Sequence, residues 1–204
     1  MKVRRPSKRG PSPFFLFFVF VVLILSILPY YRTVYAMELF SLGNGLQYVF
    51  QQRKDTGVVA LQIWVKAGSK YEDQKIAGIT HFIEHLIFKG TEKVKANEMA
   101  SRIESLGGVV NAYTSYDNTV YHIIVPSRAF EEGFELLVDA VRNPAFPEEE
   151  IEKERKVVLE EIKMGEDDPQ RKLFKELFST SYREHPYGRP IIGYEDTVKS
   201  INRD

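Results

Sequence analysis

Hydrophobic and polar positions along residues 37–204 first alternate in short runs and then recur in helical steps. Glu38–Leu42 and Leu46–Gln51 flank Gly43-Asn44-Gly45, a turn sequence of the kind that closes a β-hairpin. Val58–Val65 is a third strand, its alternation broken enough to predict burial on both faces. Gly78 then opens a helix from Ile79 to about Phe88, closed by Gly90. Asn97 caps a second helix that runs to Leu106 and stops at Gly107-Gly108. Val109–Thr114 and Thr119–Val125 are strands around the turn Ser115–Asn118, and Ser127 caps a helix to about Val141. Pro144 and Pro147 break the chain before a long helix from Glu148 through Gly165; another follows Pro169 to about Tyr182. Residues 185–190, with two prolines and a glycine, form a loop. Strands come in antiparallel pairs and helices in runs, so the fold class is α+β.

The first 36 residues follow different rules. A basic start precedes an unbroken apolar run from Phe14 to Leu25 that continues past Ser26 to Leu28, and Pro29 ends it. Val34-Tyr35-Ala36 then offers tolerated residues at the −3 and −1 positions of a cleavage site before Met37. The run is short for a spanning helix, which needs about 20 residues. Residues 1–36 are therefore a secretory signal or, if uncleaved, an N-terminal anchor that associates with the membrane through residues 14–28. Either way the domain of residues 37–204 is exported, to the periplasm or the extracellular space, or faces it from the membrane.

Charge changes the picture once it is divided the same way. Six of the 28 basic side chains lie in residues 1–36, which hold no acid, leaving 22 against 28 acids in residues 37–204, a formal charge of −6. A mildly acidic domain without a basic stripe is not built for nucleic acid. The chain has no cysteine, which excludes thiolate ligands and a cysteine nucleophile and gives no disulfide evidence on compartment.

The chemistry lies in His81-Phe82-Ile83-Glu84-His85. Residues four apart share a helix face, so both imidazoles project together and Glu84 lies close to that face. Two neutral imidazoles and a carboxylate on one surface suit a catalytic zinc, the carboxylate serving as base to the attacking water. The order H-x-x-E-H inverts the commoner H-E-x-x-H zinc motif and is itself a metallopeptidase signature. Two nitrogens and one oxygen also suit manganese or cobalt.

A third ligand must come from elsewhere, and His122, His185 or a buried acid could supply it. The long helix offers the better answer. Ile151, Val158 and Ile162 mark its core face, and Glu154 and Glu161 fall within about 80° of Ile151, whereas Glu160 points into solvent. Two carboxylates on a core-facing surface are costly unless a cation or donors satisfy them. Glu161 is assigned as third ligand and Glu154 as a carboxylate that orients a histidine through its other ring nitrogen. Salt bridges to buried arginines are the alternative reading of this pair. His122, inside an apolar strand, reads as a satisfied core histidine, His185 as a structural loop residue, and Phe82 as packing for the motif helix.

The sequence resembles the pitrilysin (M16) family of zinc metallopeptidases, most closely its processing-peptidase-like bacterial branch, as an N-terminal catalytic domain. The resemblance rests on Gly78-Ile79-Thr80-His81-Phe82-Ile83-Glu84-His85-Leu86, Gly107-Gly108-Val109-Val110-Asn111-Ala112-Tyr113-Thr114, residues 154–162 and His185-Pro186-Tyr187-Gly188, in family order. It implies an antiparallel sheet backed by helices, with Zn2+ as cofactor and Glu161 and Glu154 in the roles just given. It also implies an edge strand over Val110–Thr114 that pairs with an extended peptide or an unfolded protein segment, Asn111 and Ala112 making the contact. Family members join this domain to a second, related half, so a second homologous domain or partner chain is expected, and the chain is expected to be incomplete at its C-terminal end. A non-catalytic family member serving as a binding or scaffold subunit is the alternative to a zinc-dependent endopeptidase.

With Glu84 as general base, Glu84→Gln keeps zinc and loses turnover, whereas replacing His81 or His85 loses both. Elemental analysis beside a peptide-cleavage assay checks this; full activity in Glu84→Gln removes the base assignment.

Overall fold

The computed structural model describes residues 12–27, 37–96 and 98–203, which divide into two compact units, residues 1–56 and 57–204. In the first unit, α1 (Pro13–Ile27) is apolar but for Ser26 and spans about 22 Å at 1.5 Å per residue. No helix among the described residues is long and apolar enough to cross a membrane. The basic start and the expected cleavage site lie outside the described residues. Strands β1 (Glu38–Ser41) and β2 (Gln47–Phe50) pair antiparallel, Glu38 opposite Phe50. Their turn is held by Asn44, whose side-chain oxygen accepts the Leu46 N–H, and by Gly45 at φ 87°. Phe40 and Tyr48 stack across the strands at 4.8 Å.

The second unit is built on an antiparallel sheet of β3 (Val58–Val65), β4 (Val109–Thr114) and β5 (Thr119–Pro126), ordered β3-β5-β4. Strand alternation sends Leu61, Ile63, Val110, Ala112, Tyr121, Ile123 and Val125 to one face. There they meet α3 (Glu98–Ser105) through Met99 and Ile103, and α4 (Phe130–Arg142) through Leu136, Leu137 and Ala140. The other face carries Val58, Trp64, Val109, Tyr113 and Ile124, all exposed. The expected burial of β3 on both faces is therefore wrong. Among the described residues of this unit the helices pack on one side of the sheet, and β3 alternates exposed and half-buried along its length.

A second apolar cluster joins α2 (Ile79–Leu86), α5 (Glu148–Asp167) and α7 (Glu195–Ser200): Phe82 and Leu86 close on Ile151, Val158, Val198 and Ile201. Arg155 fastens this seam, donating to the carbonyls of Val198 and Ile201 while its guanidinium lies 5.7 Å from the Phe82 ring. Phe82 is a packing residue of the motif helix, 1% exposed.

Element ends follow local chemistry. Helix α3 stops where Gly107 turns to φ 80°, with the Gly107 and Gly108 N–H groups bonded to the carbonyls of Glu104 and Ile103. Asn97, its expected cap, lies outside the described residues. Ser127 does not cap α4. Its N–H still pairs with the Gly57 carbonyl, so the chain makes a 3-10 turn over Ser127–Ala129 before α4 begins at Phe130. Asp168 caps α6 (Pro169–Ser181), accepting the N–H groups of Gln170 and Arg171. The loop at 185–190 holds one 3-10 turn and is pinned to the β4–β5 turn: Tyr187 stacks on Tyr116 and its hydroxyl donates to Asp117, which also pairs with Lys70.

Leu137 is fully buried between sheet and helices. Leu137→Ala is expected to cost about 2–5 kcal/mol, read as a lower urea midpoint with unchanged slope. A shift under about 1 kcal/mol would show that the seam of α4 on the sheet carries less of the core than its burial implies.

Candidate metal centre

Helix α2 begins under unusual constraint. Gly78, at φ 96°, turns the chain into the helix, and a Cβ there would meet the Ile192 carbonyl oxygen at 2.5 Å. Thr197 donates its hydroxyl to the Ala77 carbonyl, tying the start of α2 to α7. Two N–H groups at the start of the helix are taken by a side chain six and eight residues upstream. Glu72, 6% exposed, accepts the Gly78 N–H with one carboxylate oxygen and the Thr80 N–H with the other, both at 2.8 Å.

From this fixed start, His81 and His85 stand one turn apart, ring centroids 4.7 Å from each other. Helix α5 brings Glu161 to them: its Oε2 lies 3.9 Å from His81 Nε2 and 3.7 Å from His85 Nε2. Among the described residues, His81, His85 and Glu161 form a group able to hold a metal ion, one ligand atom from each lying within 4.8 Å of the others. Glu160 points outward and pairs with Lys163 on the surface.

The electrostatics suit ligation. Burial, and after it the neighbouring His85, pull the His81 pKa down to about 4, so its imidazole is neutral at pH 7. His85 Nδ1 lies 3.0 Å from Glu154 Oε2, and the other oxygen of Glu154 pairs with Lys89 at 2.7 Å. Glu154 is 8% exposed, so its carboxylate lies buried between the lysine and the imidazole. With Nδ1 turned to Glu154, His85 presents Nε2 to Glu161. Two imidazole nitrogens and a carboxylate oxygen thus converge, a donor set that a divalent cation satisfies. This is the fit expected of zinc. Nδ1 of His81 is buried without a hydrogen-bond partner among the described residues.

Glu84, between the two histidines, is held from the sheet: the Thr114 hydroxyl donates to its Oε2 at 2.5 Å. Its charge lies near Tyr121, whose phenol is pushed up to about 12, first by burial and then by Glu84. Asn111 and Ala112 lie on β4, which pairs with β5 on one side and has no strand on the other among the described residues. Asn111 uses its side-chain oxygen to accept the Ala112 N–H at 2.8 Å.

The remaining histidines stand apart. His122 is not a satisfied core residue. Alternation places it on the outer face of β5, opposite Gln62 and Asn111, half-buried, with Nδ1 unpaired among the described residues. His185 accepts the Tyr187 N–H in the 185–190 loop. Glu72, Lys89 and Thr114 were not found from sequence. Lys89 follows His85 by one helical turn, a spacing that could have drawn attention to it; Glu72 and Thr114 have no local signal.

The model of the family "Insulinase (Peptidase family M16)" matches residues 48–195. The chain belongs to peptidase family M16. An uncharacterized zinc protease of Rickettsia bellii is 37% identical over 163 residues, 80% of this chain and 40% of the relative. The mitochondrial-processing peptidase subunit beta of Mus musculus is 39% identical over 162 residues, 79% of this chain and 33% of that subunit. Among solved structures, a protease from Helicobacter pylori superposes with a TM-score of 0.79 at 34% identity, covering 83% of this chain and 41% of that one. The M16 chain thus spans 40% or less of these two curated relatives. The identification made from the motifs holds, as does the α+β class.

Glu154→Ala leaves His85 without its orienting acceptor and Lys89 without its partner. Zinc affinity is expected to fall about 10- to 100-fold with the fold intact, measured by chelator competition beside circular dichroism. Unchanged affinity would show that Glu154 serves packing alone.

Proposed function

We propose that this M16 protein is a zinc-dependent endopeptidase that hydrolyses peptide bonds in peptides or flexible protein segments. The observation that carries the reading is the convergence of His81, His85 and Glu161 to within 4.8 Å, with Glu84 on the same helix between the two histidines. His81, His85 and Glu161 hold the metal, and Glu154 fixes the tautomer of His85. When bound, zinc supplies Lewis acidity, making the attacking water more acidic and polarising the scissile carbonyl. Glu84 takes the proton of that water as general base and returns it to the leaving amine. The open edge of β4, at Asn111 and Ala112, receives the substrate as an added strand, which selects extended backbone over sequence.

Residues 1–36 export the protein or anchor it, with the domain outside the cytoplasm. A second homologous domain or partner chain closes over the substrate; the processing peptidase named among the relatives is itself a subunit, which supports this arrangement. The alternative, a scaffold subunit without turnover, has less support, because the ligands and the base are all present and assembled.

Metal analysis of the wild-type protein beside Glu161→Gln tests the reading, followed by peptide cleavage with and without chelator. Near-stoichiometric zinc that drops in the variant, with chelator-sensitive cleavage, is the expected outcome. Folded protein that binds no zinc overturns the metal site, and zinc without cleavage in the complete protein favours the scaffold.

A further inference from the structure

We infer that Thr114 is a positioning residue for the base: its hydroxyl holds Glu84 and sets it in register with β4. The inference rests on the reading of Glu84 as general base. A threonine hydroxyl has a single proton to give, and an ionised carboxylate only accepts, so the 2.5 Å contact from Thr114 Oγ1 to Glu84 Oε2 spends that proton on Glu84. The nearby Thr119 hydroxyl, 3.5 Å from that of Thr114, commits its own proton to the Ala67 carbonyl at 2.9 Å. The pair therefore does not compete with Glu84.

The position of the Thr114 hydroxyl is set by the sheet. Thr114 pairs with Thr119 at the end of the β4–β5 ladder, next to a turn in which the Ser115 N–H and hydroxyl both donate to the Asn118 carbonyl. A β-branched side chain there has little rotamer freedom. Glu84, by contrast, is a long side chain on a helix and would otherwise sample several rotamers. With Oε2 held by Thr114, Oε1 is the oxygen left to take the proton. Because Thr114 follows Asn111 and Ala112 on the same strand, base and substrate strand share one frame, and a substrate added to the β4 edge arrives already aligned with the proton acceptor.

The test compares zinc-loaded wild type with Thr114→Val, which keeps the shape and removes the hydroxyl, Thr114→Ser, which keeps the hydroxyl, and Glu84→Gln. Zinc content is expected to be equal in all four. In Thr114→Val, kcat on a fluorogenic peptide is expected to fall about 10- to 100-fold with KM within about 2-fold, and Thr114→Ser to recover to within about 3-fold of wild type. Crystal structures are expected to find the Glu84 carboxylate displaced in Thr114→Val and in place in Thr114→Ser, a readout independent of turnover. Wild-type kcat in Thr114→Val beside an inactive Glu84→Gln overturns the role of Thr114 alone, as does an unmoved carboxylate. Loss of zinc in Thr114→Val also overturns it, since the hydroxyl would then serve the whole site. Full activity in Glu84→Gln removes the base assignment and this inference with it.

Discussion

Phe82 and Leu86 of α2 close against Ile151 and Val158 of α5, and that apolar contact sets the separation of everything chemical on the neighbouring faces. His85 precedes Leu86, and Glu161 follows Val158 by three residues, so seating the hydrophobic pairs brings the ligands toward each other. Each such side chain contributes about 1.5–3 kcal/mol when fully buried. That driving force does not depend on a metal. It holds two imidazole nitrogens and a carboxylate oxygen within 4.8 Å of one another, where a flexible loop would let them drift apart.

Polar groups around this seam are satisfied by partners from distant parts of the chain. Glu154 is buried beside the apolar contact, which would be costly for a lone carboxylate, but Lys89 and His85 both meet it. Glu72 does the same service at the other end of α2, offering both carboxylate oxygens to N–H groups that no helical carbonyl can reach. The motif helix is thus held at its start by Glu72 and α7, in its middle by Thr114 and along one side by α5. A short helix of eight residues would fray if left to its own hydrogen bonds.

What could be read from the chain and what could not divides along the range of the interaction. The His81–His85 spacing, the Asn44 turn and the core stripe of α5 are local patterns, and the strands, helices and Glu161 follow from them. Glu154 was legible because a carboxylate on an apolar face has to be explained. Burial of β3 was misjudged because its composition, rich in Val, Ile, Leu and Trp, says nothing of how many layers pack on it. Ser127 has the chemistry of a cap, but its N–H was still engaged in pairing with Gly57. His122 sits among apolar residues in sequence and yet on the outer face in space, a consequence of strand parity. Glu72 and Thr114 act across 6 and 30 residues on groups that become neighbours only when the chain has folded. The short helix α7 went unanticipated for a similar reason, since its one buried side chain, Val198, is defined by its packing on α2 and α5.

The metal ligands and the substrate edge place different demands on the rest of the protein. His81, His85, Glu84, Glu154 and Glu161 all fall within residues 48–195, the span that matches the family, as do Glu72, Lys89 and Thr114, whereas α7 lies beyond it but for Glu195. The residues proposed to hold the metal all come from one compact unit, residues 57–204. An edge strand is different, because β4 has a strand partner on one side only among the described residues. Pairing along a single edge yields little affinity for a short peptide once the entropy of ordering it is subtracted. Under the proposed function, closing over that edge falls to a second homologous domain or partner chain; the chain spans 40% or less of the two curated relatives compared. On that same proposed function the division has a chemical logic: His81, His85, Glu161 and Glu84 are placed by rigid elements, while commitment to a substrate would wait for a second surface to exclude water.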